Sequence, residues 1–217
     1  MDIKLVIFDF DGTLIDTKKT IVIAKQETMR VMGLEIADEE TCASTIGLSA
    51  KIGFQTLYPE LSEQSLDLCV STYRKLFEEK KEIIPPTLFP DVEEVLTAIE
   101  KKGIMRTIAT SRNTASLNDF IAKLNLADYF PYVLGGDDTP LLKPHPEPVI
   151  KTLKDLSFDA GQTLVVGDMP FDIAMGKGAG TYTCGVTYGN SKREQLIEAG
   201  ADFIIDDIKD LTDILMK

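Results

Sequence analysis

Six short apolar runs recur along this chain, and helix-like stretches separate most of them. Leu5 to Phe10 is rich in Val, Ile and Phe, as a strand buried on both faces requires. Ile104 to Ala109 follows the helical stretch Val92 to Lys102, with Gly103 as its stop. Tyr132 to Leu134 is a brief third run. Thr163 to Val166 follows a helical stretch around Pro146 to Leu156, and Thr181 to Val186 follows Phe171 to Ala179. Phe203 to Ile205 precedes a terminal helix, Ile208 to Met216. Strands alternating with helices predict an α/β fold, a Rossmann-like parallel sheet joined by right-handed crossovers.

The alternation breaks once. From Asp16 to Ile84 the pattern is helical throughout: Thr20 to Met32, Glu39 to Thr45, Ala50 to Leu57, and a long stretch from Ser62 to Lys81. Ile83-Ile84-Pro85-Pro86 ends it, since proline forbids further helix. The expected organisation is an α/β core over 1–15 and 85–217, with an all-helical cap over 16–84. Hinges are expected near Asp16 and Ile83 to Pro86.

Charge narrows the partners. Asp and Glu number 35 against 23 Lys and Arg, a formal net charge of -12. So acidic a chain is a poor ligand for nucleic acid or an anionic membrane. No window is long and apolar enough for a membrane span, and the N-terminal apolar run is too short for a signal peptide. A cytoplasmic location is the expectation. Cys42, Cys69 and Cys184 lack metal or disulfide spacing and read as buried thiols. The single histidine, His145, reads as a loop residue, which leaves chemistry to carboxylates, hydroxyls and amines.

Four strand ends carry such groups. The first run ends in Asp9-Phe10-Asp11-Gly12-Thr13. Residues two apart in an extended chain face one side, so Asp9 and Asp11 converge where open α/β sheets bind ligands. Paired carboxylates repel, and a hard cation such as Mg²⁺ relieves this. The second run leads into Thr110-Ser111-Arg112-Asn113, which offers hydroxyls and N–H groups to a phosphate, or a helix cap. After the third run, Lys143 sits in Lys143-Pro144-His145-Pro146, an ammonium placed by prolines. The fourth run ends in Gly167-Asp168-Met169-Pro170, with Asp172 one helical turn on. Locally, Asp168 also reads as an N-cap before Pro170. Gly176-Lys177-Gly178-Ala179-Gly180 imitates a phosphate loop, but it lies at a helix end and reads as termination and packing.

In order and spacing, Asp9-Phe10-Asp11-Gly12-Thr13, Thr110, Lys143-Pro144, and Gly167-Asp168 with Asp172 resemble the haloacid dehalogenase superfamily of phosphatases. The helical insert resembles that of the phosphoglycolate phosphatase and β-phosphoglucomutase branch. This resemblance implies that Asp9 is a nucleophile forming an aspartyl-phosphate and that Asp11 is a general acid, then base. It implies Mg²⁺ on the Asp9 carboxylate, the Asp11 backbone carbonyl and Asp168, with Asp172 supporting it. Thr110, the Ser111 backbone and Lys143 would hold phosphoryl oxygens. Ile46-Gly47-Leu48-Ser49-Ala50-Lys51 resembles the family's specificity loop, which makes Lys51 a specificity candidate, with Arg112 a second.

The expected activity is Mg²⁺-dependent hydrolysis of a small phosphorylated metabolite. The mutase of this branch carries a cap histidine about ten residues beyond the second acid; Ile21 stands there instead. Phosphonate hydrolases of similar fold use a cap lysine, and Lys18, Lys19 and Lys25 are available. Pyrophosphate is a further possible substrate. A receiver-like signalling module also gathers acids, a hydroxyl and a lysine, but it is shorter and has no insert. The oligomeric state is not legible.

Overall fold

A computed structural model describes residues 2–215 of the chain. Its core is a six-stranded parallel sheet of β1 (Leu5–Phe8), β4 (Met105–Ala109), β5 (Tyr132–Leu134), β6 (Thr163–Gly167), β7 (Tyr182–Val186) and β8 (Phe203–Ile205). The spatial order is β5-β4-β1-β6-β7-β8, with β1 central. Strand β1 pairs in parallel with β4 and β6, Phe8 standing opposite Ile108 and Val166.

All four residues of β1 are buried, as its unbroken apolar run requires. Val6 and Phe8 point into one apolar cluster with α5 (Val92–Lys101), α6 (Thr114–Lys123) and α10 (Asp210–Leu215). Leu5 and Ile7 point to the other face, against Val149 of α7 (Glu147–Leu156) and Met175 of α8 (Pro170–Gly178). Helices therefore cover both faces, and the period-two alternation of a strand divides β1 between them. Each fully buried aliphatic or aromatic side chain contributes roughly 1.5–3 kcal/mol.

The insertion is helical, as expected: α1 (Lys18–Met32), α2 (Glu39–Ala43), α3 (Ala50–Leu57) and α4 (Glu63–Ile83). Asp38, Ser49 and Ser62 cap α2, α3 and α4 by accepting backbone N–H groups. Gly33 ends α1 in the left-handed conformation that glycine adopts without strain. A two-stranded antiparallel ribbon ties the insertion's two ends together. Its strands are β2 (Ile15–Asp16) and β3 (Thr87–Leu88), with Ile15 opposite Leu88.

Some boundaries differ from the sequence reading. Strand β1 stops at Phe8 because the Phe10 carbonyl turns to accept N–H groups from Leu14 and Ile15. A short helix, α9 (Arg193–Glu198), was not anticipated. The last helix starts at Asp210 rather than Ile208, and Met216 lies outside the described residues. The three cysteines are buried and free. No described helix is long and apolar enough to cross a membrane.

Candidate active site

The chain runs from β1 to β4 and β5 on one side and then crosses to β6 on the other, which makes a switch point at the carboxyl ends of β1, β4 and β6. A cavity of about 970 Å³ opens there. Asp9, Asp11, Thr110, Ser111 and Arg112 line it from the sheet side, and Ile21, Lys25, Thr45 to Lys51, Tyr73 and Phe77 from the insertion.

Beneath it lies a buried ionic cluster. Asp9, Asp168 and Asp172 each bring a carboxylate oxygen within 4.8 Å of the others. Lys143 reaches into this group, paired with Asp9 and, at 2.6 Å, with Asp172. Burial, then the nearby Asp172 charge, pushes the Asp9 carboxyl well above its ordinary range. The same causes, in the same order, push Asp168 up to about 7. Burial opposes the Lys143 charge, but Asp172 and Asp9 outweigh it and its pKa rises.

Asp168 is held in place by its neighbours. Its Oδ2 accepts from the Asn190 backbone N–H at 2.7 Å and from the Asn190 amide at 2.8 Å. The Thr13 hydroxyl donates to Oδ1 at 3.4 Å. Gly12 makes this approach possible. Its φ of +88° suits glycine, and a Cβ there would overlap the Asp168 carboxylate and the Asn190 amide. Asp168 is not a helix cap: Met169 is the N-cap of α8, with Pro170 at its first position, and Asp172 Oδ2 accepts the Met169 N–H at 3.0 Å.

Asp11 departs from the expected convergence with Asp9. The turn at Phe10 breaks the period-two geometry, and the Asp11 carboxylate stands outside the cluster. It accepts from the Thr17 hydroxyl at 2.7 Å and from two nitrogens of Arg112, at 2.6 and 2.9 Å. The Arg112 guanidinium lies over both the Phe77 and Phe120 rings, 4.7 Å from each centroid. Burial opposes its charge, but Asp11 outweighs that and holds it protonated.

The remaining candidates are less central. Thr110 is buried, and its hydroxyl accepts the Arg112 N–H at 3.2 Å. The Ser111 hydroxyl is buried with no hydrogen-bond partner among the described residues. Asn113, not Ser111, caps α6 by accepting the Ser116 N–H at 2.9 Å. Lys51 lines the cavity but is paired with Glu63 at 2.6 Å and Asp67 at 2.8 Å. His145 is exposed and accepts the Glu147 N–H, a turn contact. Gly176 to Gly180 end α8, with Gly176 packed on Thr183 of β7 and Gly178 on Pro146, the termination and packing read from the sequence. Thr17 and Asn190 were not anticipated. Asn190 follows β7, a fifth strand end, and that position was its one sequence signal.

The cluster fits a divalent cation. Three acids share a buried space, and Asp9 Oδ2 is buried with no hydrogen-bond partner among the described residues. Hard oxygen donors of this kind suit Mg²⁺.

This arrangement agrees with the comparisons to known proteins. The family model described as haloacid dehalogenase-like hydrolase matches residues 6–186. The chain belongs to that family. It is 35% identical over 206 residues to a Dickeya dadantii protein named probable phosphatase IndB, covering 93% of this chain and 89% of that one. It is 30% identical to a Photorhabdus laumondii phosphoglycolate phosphatase, covering 96% and 91%. A crystal structure described as a predicted phosphoglycolate phosphatase from Haemophilus somnus superposes with a TM-score of 0.89 at 26% identity, covering 99% and 98%. This member of the hydrolase family is therefore an enzyme, with the family's fold and a helical insertion.

Proposed function

We propose that this hydrolase is a Mg²⁺-dependent phosphatase of small phosphate monoesters, with residues 16–84 acting as a cap over a core of 1–15 and 85–217. The observation that carries this reading is the Asp9 carboxylate. It is buried, faces the cavity, rests on Lys143 and keeps Oδ2 free of any donor among the described residues. Small phosphorylated substrates also match the relatives' names.

In this reading Asp9 attacks phosphorus. The bond to the leaving oxygen breaks as Asp11 gives that oxygen a proton, and an aspartyl-phosphate remains. Asp11 then takes a proton from water, which attacks phosphorus and breaks the bond to Asp9. Inorganic phosphate leaves and Asp9 is regenerated. The Arg112 fork occupies both Asp11 carboxylate oxygens. The acid step needs that grip released.

Lys143, Thr110 and the Ser111 backbone would hold the phosphoryl oxygens. Asp9, the Asp11 backbone carbonyl and Asp168 would hold Mg²⁺, with Asp172 fixing Lys143 and supporting the cation. Bound there, the cation supplies positive charge against the phosphoryl oxygens. Ile21 lines the cavity where a phosphosugar mutase of this branch would carry a histidine, which supports net hydrolysis.

The test is a phosphate-release screen over several dozen phosphorylated metabolites, with and without Mg²⁺, and with Asp9→Asn as control. Release that needs both Mg²⁺ and Asp9 is expected. No release from any ester, or full activity in Asp9→Asn, would refute the mechanism.

A further inference from the structure

Six cationic side chains line the cavity: Lys25, Lys51, Arg74, Lys81, Arg112 and Lys123. Four of them are neutralised. Lys51 pairs with Glu63 and Asp67, Lys81 with Glu78 and Asp119, Lys123 with Glu82 and Asp119, and Arg112 with Asp11. Among the described residues, Lys25 and Arg74 have no carboxylate within ion-pair reach. Arg74 is exposed to solvent, whereas Lys25 is buried at 4% exposure.

The Lys25 ammonium has two neutral partners. It donates to the Cys42 carbonyl at 3.0 Å and to the Thr45 hydroxyl at 2.5 Å. An ammonium carries three donors, so this arrangement leaves one without a protein acceptor. Burying a charge without a counter-charge is costly, and burial pushes the Lys25 pKa down to about 8. Such a group persists where something supplies the missing charge. Thr45 and Ile46 beside it also line the cavity, which extends to Asp9 and Thr110 at the sheet.

We infer that Lys25 is the leaving-group recognition residue: its ammonium receives a second anion on the substrate, remote from the phosphoryl group being transferred. Resting on the phosphatase reading, this narrows the substrate to a monoester whose leaving group carries a carboxylate or a further phosphate, or to the anhydride pyrophosphate, whose leaving group is itself phosphate. Lys51, the specificity candidate suggested by the loop, is occupied by Glu63 and Asp67 and does not supply this charge.

The test compares kcat/KM for phosphoglycolate and for pyrophosphate with that for ethyl phosphate, whose leaving group is neutral. The wild type is expected to prefer one anionic substrate by at least tenfold, and the preferred one identifies the anion. Lys25→Gln is expected to lose that preference, and Lys25→Arg to keep most of it. Thr45→Val removes one oxygen that aims the ammonium, and it is expected to weaken the preference. It serves where Lys25→Gln does not fold, as judged by circular dichroism. A wild-type enzyme without preference, or a ratio unchanged in every folded variant, overturns the inference. Should no ester be turned over, the phosphatase reading fails and Lys25 is read by binding alone. Phosphoglycolate or pyrophosphate should then raise the melting temperature more than ethyl phosphate does, and Lys25→Gln should abolish the difference. Equal shifts overturn the inference.

Discussion

Arg112 grips Asp11 with two guanidinium nitrogens, Nη2 at 2.6 Å from Oδ1 and Nε at 2.9 Å from Oδ2. Both side chains are nearly buried. Removing one member of such a pair strands the other, which costs more than the pair's net worth. Arg112→Ala is expected to lower stability by roughly 3 kcal/mol. Arg112→Lys is expected to recover less than half, since an ammonium can neither fork onto both oxygens nor stack on the Phe77 and Phe120 rings. Urea unfolding measures both. Full recovery by lysine would show that charge alone matters there.

Lys143 is the cation of the buried acid cluster. Its neighbours Asp9, Asp168 and Asp172 are 1% exposed or less. Lys143→Met leaves three acids with no protein counter-charge, so metal-free stability at pH 7 is expected to fall by roughly 3–5 kcal/mol. Saturating Mg²⁺ should restore part of the loss, because the cation replaces the missing charge. Thermal unfolding with EDTA and with Mg²⁺ checks this. A penalty that Mg²⁺ leaves untouched would argue that the acids do not hold the cation.

Lys25 gives stability a defined pH dependence. Its native pKa of about 8 lies below the ordinary lysine value of 10.5, so between these the unfolded chain binds more protons than the native one. Stability therefore rises with pH through that window. The ammonium's penalty is fully present below pH 8 and relieved toward pH 10.5. The stability gap between Lys25→Met and wild type is expected to shrink over that range, by up to roughly 3 kcal/mol. Urea titrations of both proteins at several pH values measure the gap. A constant gap would mean that the ammonium has a counter-charge.

The parts of this fold that were legible in sequence are those written locally. An apolar run such as Leu5 to Phe8 is suited to the middle of a covered sheet, and Asp9, Thr110 and Asp168 follow such runs at once. Helix starts were legible where Ser49 and Ser62 cap them. The rest depends on partners distant in sequence. The β2–β3 ribbon pairs two-residue strands some seventy positions apart, which no local periodicity can announce. The Asp11 carboxylate turns away from Asp9 because Arg112, 101 positions on, offers a fork. Asn190 lacks a motif, and its value to Asp168 comes from the approach that Gly12 allows.

The central claim is that Asp9 becomes covalently phosphorylated. Acid-quenched turnover with the best substrate, followed by peptide mass spectrometry, tests it most directly. A phosphoryl adduct is expected on the peptide containing Asp9, absent in Asp9→Asn and more abundant in Asp11→Asn, where the water-activating base is lost. Active enzyme that never carries an adduct, or an adduct that persists in Asp9→Asn, would contradict it.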